Sequence, residues 1–244
     1  MNIHPSWKIE PPENSHIRAM LSYPLGYYQK RLQKIGFCGK KTKLLDAGCG
    51  SGIWAIAASS MNARVDGIDA TAKYLAVAKA IKQKLDIRNL KLEIGKLEKL
   101  PYPDEYFDYL ICYDAWMYTD KKESLKEMYR VLKPSGKIYL GCIAGLGWYL
   151  NLLIQGLKKG NRGLIIKSLD AIRKKIHVYR RVAEDLIQKQ GFQIIGSGAD
   201  GEIGDRGIKV KPLFPLKKFG FLNVYEVLAM KPAVNSKFQT QNAK

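Results

Sequence analysis

Histidine, cysteine and long apolar runs are what this chain has least of, with only three histidines and four cysteines in 244 residues. Cys38, Cys49, Cys112 and Cys142 are widely spaced, without a CxxC pair, and no histidine cluster completes a ligand set. A zinc module and a disulfide-stapled scaffold are therefore not expected, and no metal site is assigned. Read as reduced thiols, the cysteines fit an intracellular chain, and the cytoplasm is the expected compartment. No stretch approaches ~18 uninterrupted apolar residues, so no membrane span is expected. The first sixteen residues lack the basic-then-apolar order of a signal peptide. Acidic charge is also scarce, with 22 Asp and Glu against 41 Lys and Arg, a net charge of +19. Residues 44–144 are nearly balanced, carrying 15 basic and 13 acidic side chains, whereas residues 145–244 carry 18 and 7. Positive charge thus gathers in the flanking segments, where an anionic partner would be met; a lysine-rich solvated surface is the plainer alternative.

The most informative stretch is KLLDAGCGSG at residues 43–52. Leu44 and Leu45 begin a buried strand, Asp46 is its single acid, and Gly48, Gly50 and Gly52 alternate with Cys49 and Ser51 before the apolar helix IWAIAA. Strand, glycine loop and helix in that order let a ligand approach backbone at a helix N-terminus. A second strand, ARVDGID, ends on Asp69, 21 positions beyond Gly48. At that distance a carboxylate meets a nucleoside ribose in a doubly wound sheet, though capping of the next helix is the simpler role. Residues 71–85 read as that helix, with Leu75, Ala78, Ile81 and Leu85 on one face.

Further strands are expected at residues 90–94, 106–113 and 137–143, with a helix at 121–132 and a stop at Lys133-Pro134-Ser135-Gly136. Five strands with helices in three of four connections predict an α/β, doubly wound, mostly parallel sheet with its ligand at the strands' C-terminal ends. Residues 1–42 are expected as an extended, proline-bearing arm followed by a helix at 27–35, and residues 43–143 as the cofactor-binding core. Residues 144–180 form a helical insertion or lid, in which Ile165, Leu169, Ile172 and Ile176 mark the packed face and Lys167, Arg173, Lys174 and Lys175 the basic side. Such a basic amphipathic pair also suits peripheral contact with an anionic membrane. Residues 181–232 complete the core, with a glycine-rich, basic substrate-side loop at 198–220, and residues 233–244 read as a disordered tail.

Four segments, LLDAGCGSG, VDGID, LPYPDEYFD and EMYRVLKPSGKIYL, together resemble the class I S-adenosylmethionine-dependent methyltransferases, closest to the small-molecule ubiquinone and menaquinone type. The resemblance spans roughly residues 43–143. It implies a seven-stranded, Rossmann-like sheet whose last strand is antiparallel, with the remaining strands near 192–196 and 225–231. It implies S-adenosyl-L-methionine as cofactor and a cofactor-binding set of Asp46, Gly48, Cys49, Gly50, Gly52, Asp69, Ala70, Lys96, Leu97 and Tyr113. Within that set, Asp46, Gly48 and Gly50 line the methionine part and Asp69 the ribose. The glycine spacing agrees: GxGxG stands here, whereas a dinucleotide fingerprint asks for GxGxxG, and Asp46 would repel a pyrophosphate. One position departs from the pattern. Where the family usually has Gly-Asp after the third strand, this chain has Gly95-Lys96, leaving adenine to the backbone of Lys96 and Leu97, with Glu98 as the nearest acid.

A methyl-transfer site needs an acceptor held in line with the donor and water excluded, and a hydroxyl acceptor also benefits from a general base. Asp114, Tyr118 and His16 are the candidates. The expected substrate is a small molecule, anionic, sugar-linked or lipid-linked. An RNA substrate is the second reading, argued from the charge but lacking an NPPY-like motif after the fourth strand. A catalytically silent binding protein on the same fold is the third.

Overall fold

The computed structural model describes residues 4–8, 15–174, 177–204, 207–214, 217–218, 221–222 and 224–233. Strand β1 (Gly39–Ala47) begins among exposed lysines and ends with Leu44, Leu45, Asp46 and Ala47 buried. It lies between β2 (Asn62–Asp69) and β4 (Phe107–Tyr113), parallel to both. Outside β2 runs β3 (Leu90–Ile94), and beyond β4 runs β5 (Leu132–Ala144), again parallel. After β6 (Gln193–Ala199) and a short hairpin of β7 (Lys217–Lys218) and β8 (Phe221–Leu222), β9 (Val224–Met230) enters between β5 and β6, antiparallel to both. The sheet order is β3-β2-β1-β4-β5-β9-β6. This is the seven-stranded, mostly parallel, doubly wound sheet that the sequence predicts.

Local chemistry sets the helices. Before β1 come α1 (Ser15–Leu21) and α2 (Leu25–Ile35), the latter closed by Gly36 in a left-handed conformation (φ 78°). Helix α3 (Ile53–Ser59) is apolar around most of its circumference because α2 and α4 (Ala72–Lys84) flank it over the sheet. Asp120 caps α5 (Lys121–Val131), accepting from the amides of Lys122 and Glu123. Helices α6 (Leu146–Lys158) and α7 (Arg162–Arg173) form a hairpin, and α8 (Arg180–Lys189) packs on β6 and β9. Two of the segments recognised in the sequence prove to be one unit. Arg130 of α5 donates to the carbonyls of Leu100 and Tyr102, while Glu127 accepts from the Leu100 amide.

Several expectations need correction. The first twenty residues are not an extended arm where the structure describes them. Residues Pro5–Trp7 form a 3-10 turn whose amide at Ser6 is capped by His4 Nδ1, and α1 follows. Trp7 drives this: it is fully buried against Tyr28 and donates its indole N–H to the Tyr23 carbonyl at 2.8 Å. Tyr28 packs inward between Trp7 and Trp54. In α7 the packed side carries Ser168 and Ala171 with Ile172 beside them, whereas Leu169 faces out at 50% exposure. Pro11, Pro12, Lys175, Ile176, Pro215, Gly220 and the predicted tail from 234 onward lie outside the described residues.

One buried cation ties the ends of the chain to the sheet. Arg31 of α2 is 3% exposed and donates from Nη2 to Tyr139 on β5 (2.7 Å), to Asp200 just after β6 (2.8 Å) and to Glu226 on β9 (2.8 Å). Burial raises the Glu226 carboxyl, and the nearby Arg31 charge and the Tyr139 hydroxyl pull it back. Asp200 also accepts from the amides of Leu213 and Phe214, which fixes the loop after β6. Removing the cation strands two carboxylates away from water. Arg31→Leu should lower the unfolding free energy by about 3–5 kcal/mol in urea denaturation.

Candidate active site

Strands β1, β2, β4 and β5 run parallel, and at their C-terminal ends a cavity of about 700 Å³ opens. Its wall begins with the glycine loop. Gly48 and Cys49 both donate their amides to the Ile68 carbonyl (2.8 and 2.9 Å), which bends the chain off β1 and across β2. Gly48 takes φ 77°, and a Cβ there would lie 2.3 Å from the Ala115 Cβ. Gly52, at φ 73°, presses against Ala78 in the same way. Gly50 differs: at φ 51° its Cβ position has no atom within 4 Å, so the backbone is bare toward open space. Glycine at 48 and 52 therefore serves packing, and at 50 it serves access.

Asp69, at the end of β2, lines the cavity beside Gly50. One carboxylate oxygen accepts from the Gly50 amide and the other from the Thr71 amide, both at 2.8 Å. Each oxygen keeps lone-pair capacity for a further donor. Ala70, Lys96, Leu97, Glu98 and Tyr113 also border the cavity, as does Cys49. Leu97 is buried whereas Lys96 is exposed. Glu98 is partly committed, because one of its oxygens accepts from the Asp120 amide at the cap of α5. The Tyr113 hydroxyl reaches Asp200 at 3.3 Å, joining the cavity wall to the Arg31 cluster.

Asp46 and Gly52 stand behind the loop and do not line the cavity. Asp46 is 1% exposed and accepts from the Ala55 amide at 2.9 Å, so it clamps the first turn of α3 to the end of β1. Burial pushes its carboxyl up to about 7, the charge of Asp69 adds to this, and the Ala55 amide opposes it.

The end of β4 supplies the catalytic candidates. Asp114 lines the cavity at φ 57°, a left-handed conformation stabilised by its amide donating to the Gly141 carbonyl at 3.0 Å. Tyr118 lines the cavity edge, and the hydroxyl of Tyr149 in α6 points at the sulfur of the adjacent Met117 at 4.0 Å. Desolvation of the Tyr118 hydroxyl and the charge of Asp114 push this phenol above its usual range. Nothing is described of the His16 side chain. His4 is occupied in capping, and the His177 ring packs edge-on against Tyr179. Among the described residues no group of three His, Cys, Asp or Glu side chains is placed to hold a metal.

Sequence reasoning overlooked the contribution of α1. Ile17 and Met20 line the cavity, and with Leu21 they follow an i, i+3, i+4 pattern that signals a packed helix face. It also overlooked Trp54, which borders the cavity while its buried indole N–H has no partner among the described residues.

A sheet of this order, with a glycine loop and an acid at its carboxyl edge, defines the Rossmann-like α/β class. The profile described as "Methyltransferase domain" matches residues 39–192, and the chain belongs to that family. It is 34% identical over 108 residues to the uncharacterized methyltransferase YcgJ of Bacillus subtilis, covering 44% of this chain and 43% of the relative. It is 31% identical over 146 residues to a demethylmenaquinone methyltransferase of Listeria welshimeri, covering 58% of this chain and 61% of the relative. The alignments thus span about half the length of these curated relatives. Among solved structures, B. subtilis YcgJ superposes with a TM-score of 0.58 at 21% identity, over 85% of this chain and 97% of that one. The [4+2]-cyclase SpnF superposes at 0.62 and 16% identity, over 91% and 85%. These two likenesses establish the fold.

Two expectations test the site. Gly48→Ala should cost about 3 kcal/mol or more in urea unfolding, because strain and collision with Ala115 add, whereas Gly50→Ala should cost about 1 kcal/mol from strain alone. For Asp46, the folded carboxyl holds its proton up to about pH 7, while in the unfolded chain it ionises near its ordinary 3.8. Stability from this group is therefore lost as pH rises from 4 to 7, on the order of 4 kcal/mol in all. Asp46→Asn does not ionise, so its melting temperature relative to the unsubstituted chain should climb steadily across that window and level off above it.

Proposed function

We propose that this chain is an S-adenosylmethionine-dependent methyltransferase acting on a small-molecule acceptor, anionic or lipid-linked, in the cytoplasm. The observation that carries this reading is a single cavity bordered both by Gly50 with Asp69 and by the Asp114–Tyr118 turn. Cofactor end and acceptor end therefore share one space. The donor set fits the cofactor: the bare backbone at Gly50 leaves room for an amino-acid portion, and Asp69 retains lone pairs for two ribose hydroxyls. The cavity volume also falls within the ~300–1,000 Å³ typical of small-ligand sites.

When bound, S-adenosylmethionine supplies a methyl group made electrophilic by its sulfonium. The chain's residues do the rest. Asp69 would hold the ribose, and the backbone of Lys96 and Leu97 would hold the adenine. Asp46 holds the glycine loop to α3 from behind, which gives the loop one shape before any ligand arrives. Tyr118 orients an acceptor by donating a hydrogen bond, and Asp114 takes the proton when the acceptor is a hydroxyl, both lining the same cavity. Ile17, Met20 and Trp54 keep water from the reacting atoms.

Equilibrium binding of S-adenosylmethionine tests this reading first. Detectable binding is expected, with Asp69→Ala weakening it about tenfold or more through loss of charge-assisted hydrogen bonds. No binding by the intact chain overturns the enzyme reading, and an unchanged affinity in the variant overturns the ribose role. Transfer of a labelled methyl group into the RNA, lipid and small-molecule fractions of a cell extract then identifies the acceptor class, label in RNA overturning the small-molecule assignment.

A further inference from the structure

The α6–α7 hairpin turns apolar side chains outward in a strongly basic part of the described surface. Helix α7 is anchored by its other side: Ser168 and Ala171 are buried, and Gly156 of α6 passes so close to Ile165 that a Cβ there would meet its Cγ1 at 2.9 Å. This packing sets the rotation of α7. Arg162, Ile166, Leu169 and Arg173 then follow one another at steps of four, three and four residues, which is one stripe of an α-helix. The stripe faces solvent, with Ile166 at 65% and Leu169 at 50% exposure between exposed arginines. Leu157, at the end of α6, adds a third aliphatic side chain at 62% exposure. Residues 157–174 carry six basic side chains, Lys158, Lys159, Arg162, Lys167, Arg173 and Lys174, against the single acid Asp170. Asp170 is paired with Lys174 (2.7 Å) and Arg173 (3.4 Å).

We propose that this hairpin is a docking face for the surface of an anionic phospholipid bilayer, with Ile166, Leu169 and Leu157 entering the interface and the surrounding lysines and arginines meeting lipid phosphates. Solvent-facing aliphatic side chains flanked by arginines match an interfacial amphipathic helix, whose apolar side enters the acyl boundary while its cations stay at headgroup level. Nucleic acid is a poorer fit, because single strands are gripped by stacking on aromatic rings and this stripe has none. No helix of the described residues is long and apolar enough to cross a membrane, so the contact is peripheral. The hairpin also leads to the cavity. Tyr149, near the start of α6, points its hydroxyl at the Met117 sulfur (4.0 Å) in the turn that carries Tyr118 to the cavity edge, and eight residues of helix, about 12 Å, separate it from Leu157. A bilayer met by the hairpin tip thus lies one short helix from the cavity. The inference does not depend on which molecule is methylated, or on methyl transfer at all.

Flotation of the full chain with lipid vesicles tests it. Vesicles of phosphatidylcholine with about 30% phosphatidylglycerol should carry the protein upward at about 100 mM salt, and pure phosphatidylcholine vesicles should not. Arg162→Gln with Arg173→Gln should weaken partitioning about thirtyfold, from two cations at ~1 kcal/mol each. Ile166→Ser with Leu169→Ser should weaken it about tenfold or more through lost apolar burial. All four side chains are exposed, so melting temperature and S-adenosylmethionine affinity should stay unchanged in both variants, which separates lost docking from lost folding. The proposal is overturned by failure to float with anionic vesicles, or by undiminished flotation of the Ile166→Ser, Leu169→Ser variant. It is also overturned by salt-sensitive binding to a single-stranded RNA in preference to vesicles. Absence of S-adenosylmethionine binding alongside normal flotation would reject the methyltransferase reading and leave this one standing.

Discussion

The buried guanidinium of Arg31 is the constraint on which the rest of this structure depends. A lone buried cation is costly, and two buried carboxylates without a cation are costlier still. Here Arg31, Asp200 and Glu226 offset one another, each reached by further donors or acceptors: Tyr139 and Tyr113 from the sheet, and the amides of Gly201, Ile203, Leu213 and Phe214 from the loop after β6. The participants come from α2, β4, β5, the end of β6 and β9. None of these segments reaches its full complement of hydrogen bonds without the others, so the cluster specifies one arrangement of the N-terminal helix, the sheet and the C-terminal loop together. The same guanidinium lies over the rings of Trp54 and Tyr113, at 5.4 and 5.7 Å, and both rings border the cavity.

The glycine loop is held from two sides. The Ile68 carbonyl takes two successive amides of the loop and Asp46 takes the Ala55 amide, leaving the Cβ position of Gly50 facing open space. A loop pinned in this way offers a ligand backbone that needs no reorganisation, which is where binding energy is otherwise lost. Asp46 therefore has its effect without touching the cavity. Its raised carboxyl is the cost of placing an acid beneath the loop at all.

Most of the sheet was legible in the sequence because its signals are local and strong. Leu44-Leu45 and the run at residues 106–113 are apolar where a doubly buried strand must be, and the glycine loop announces its own geometry. What was not legible depends on distance or on rotation about an axis. Asp46 and Asp69 are both acids at strand ends, yet one faces the helix and the other the cavity, a difference set by which amides happen to lie within 3 Å. The spacing of Ile165, Leu169 and Ile172 is properly helical, but Gly156 allows α6 to approach so closely that Ser168 and Ala171 take the packed side and Leu169 is turned out. Trp7 lies among prolines and polar residues that read as an arm, and only its tertiary contact with Tyr28 turns that segment inward. The link between Arg130, Glu127 and Leu100 shows two recognisable segments acting as one, something spacing along the chain cannot reveal.

The position of β9 sets the order in which this molecule can be finished. The last of the described strands lies inside the sheet, between β5 and β6, and it brings Glu226 to a guanidinium encountered nearly two hundred residues earlier. Until β9 arrives, β5 and β6 have open edges facing each other, Arg31 lacks one of its two carboxylates, and Tyr139 lacks its acceptor. Synthesis from the N-terminus therefore builds the glycine loop early but completes its support late. With β9 in place, the facing edges of β5 and β6 are both paired and the sheet is continuous across the Arg31 cluster.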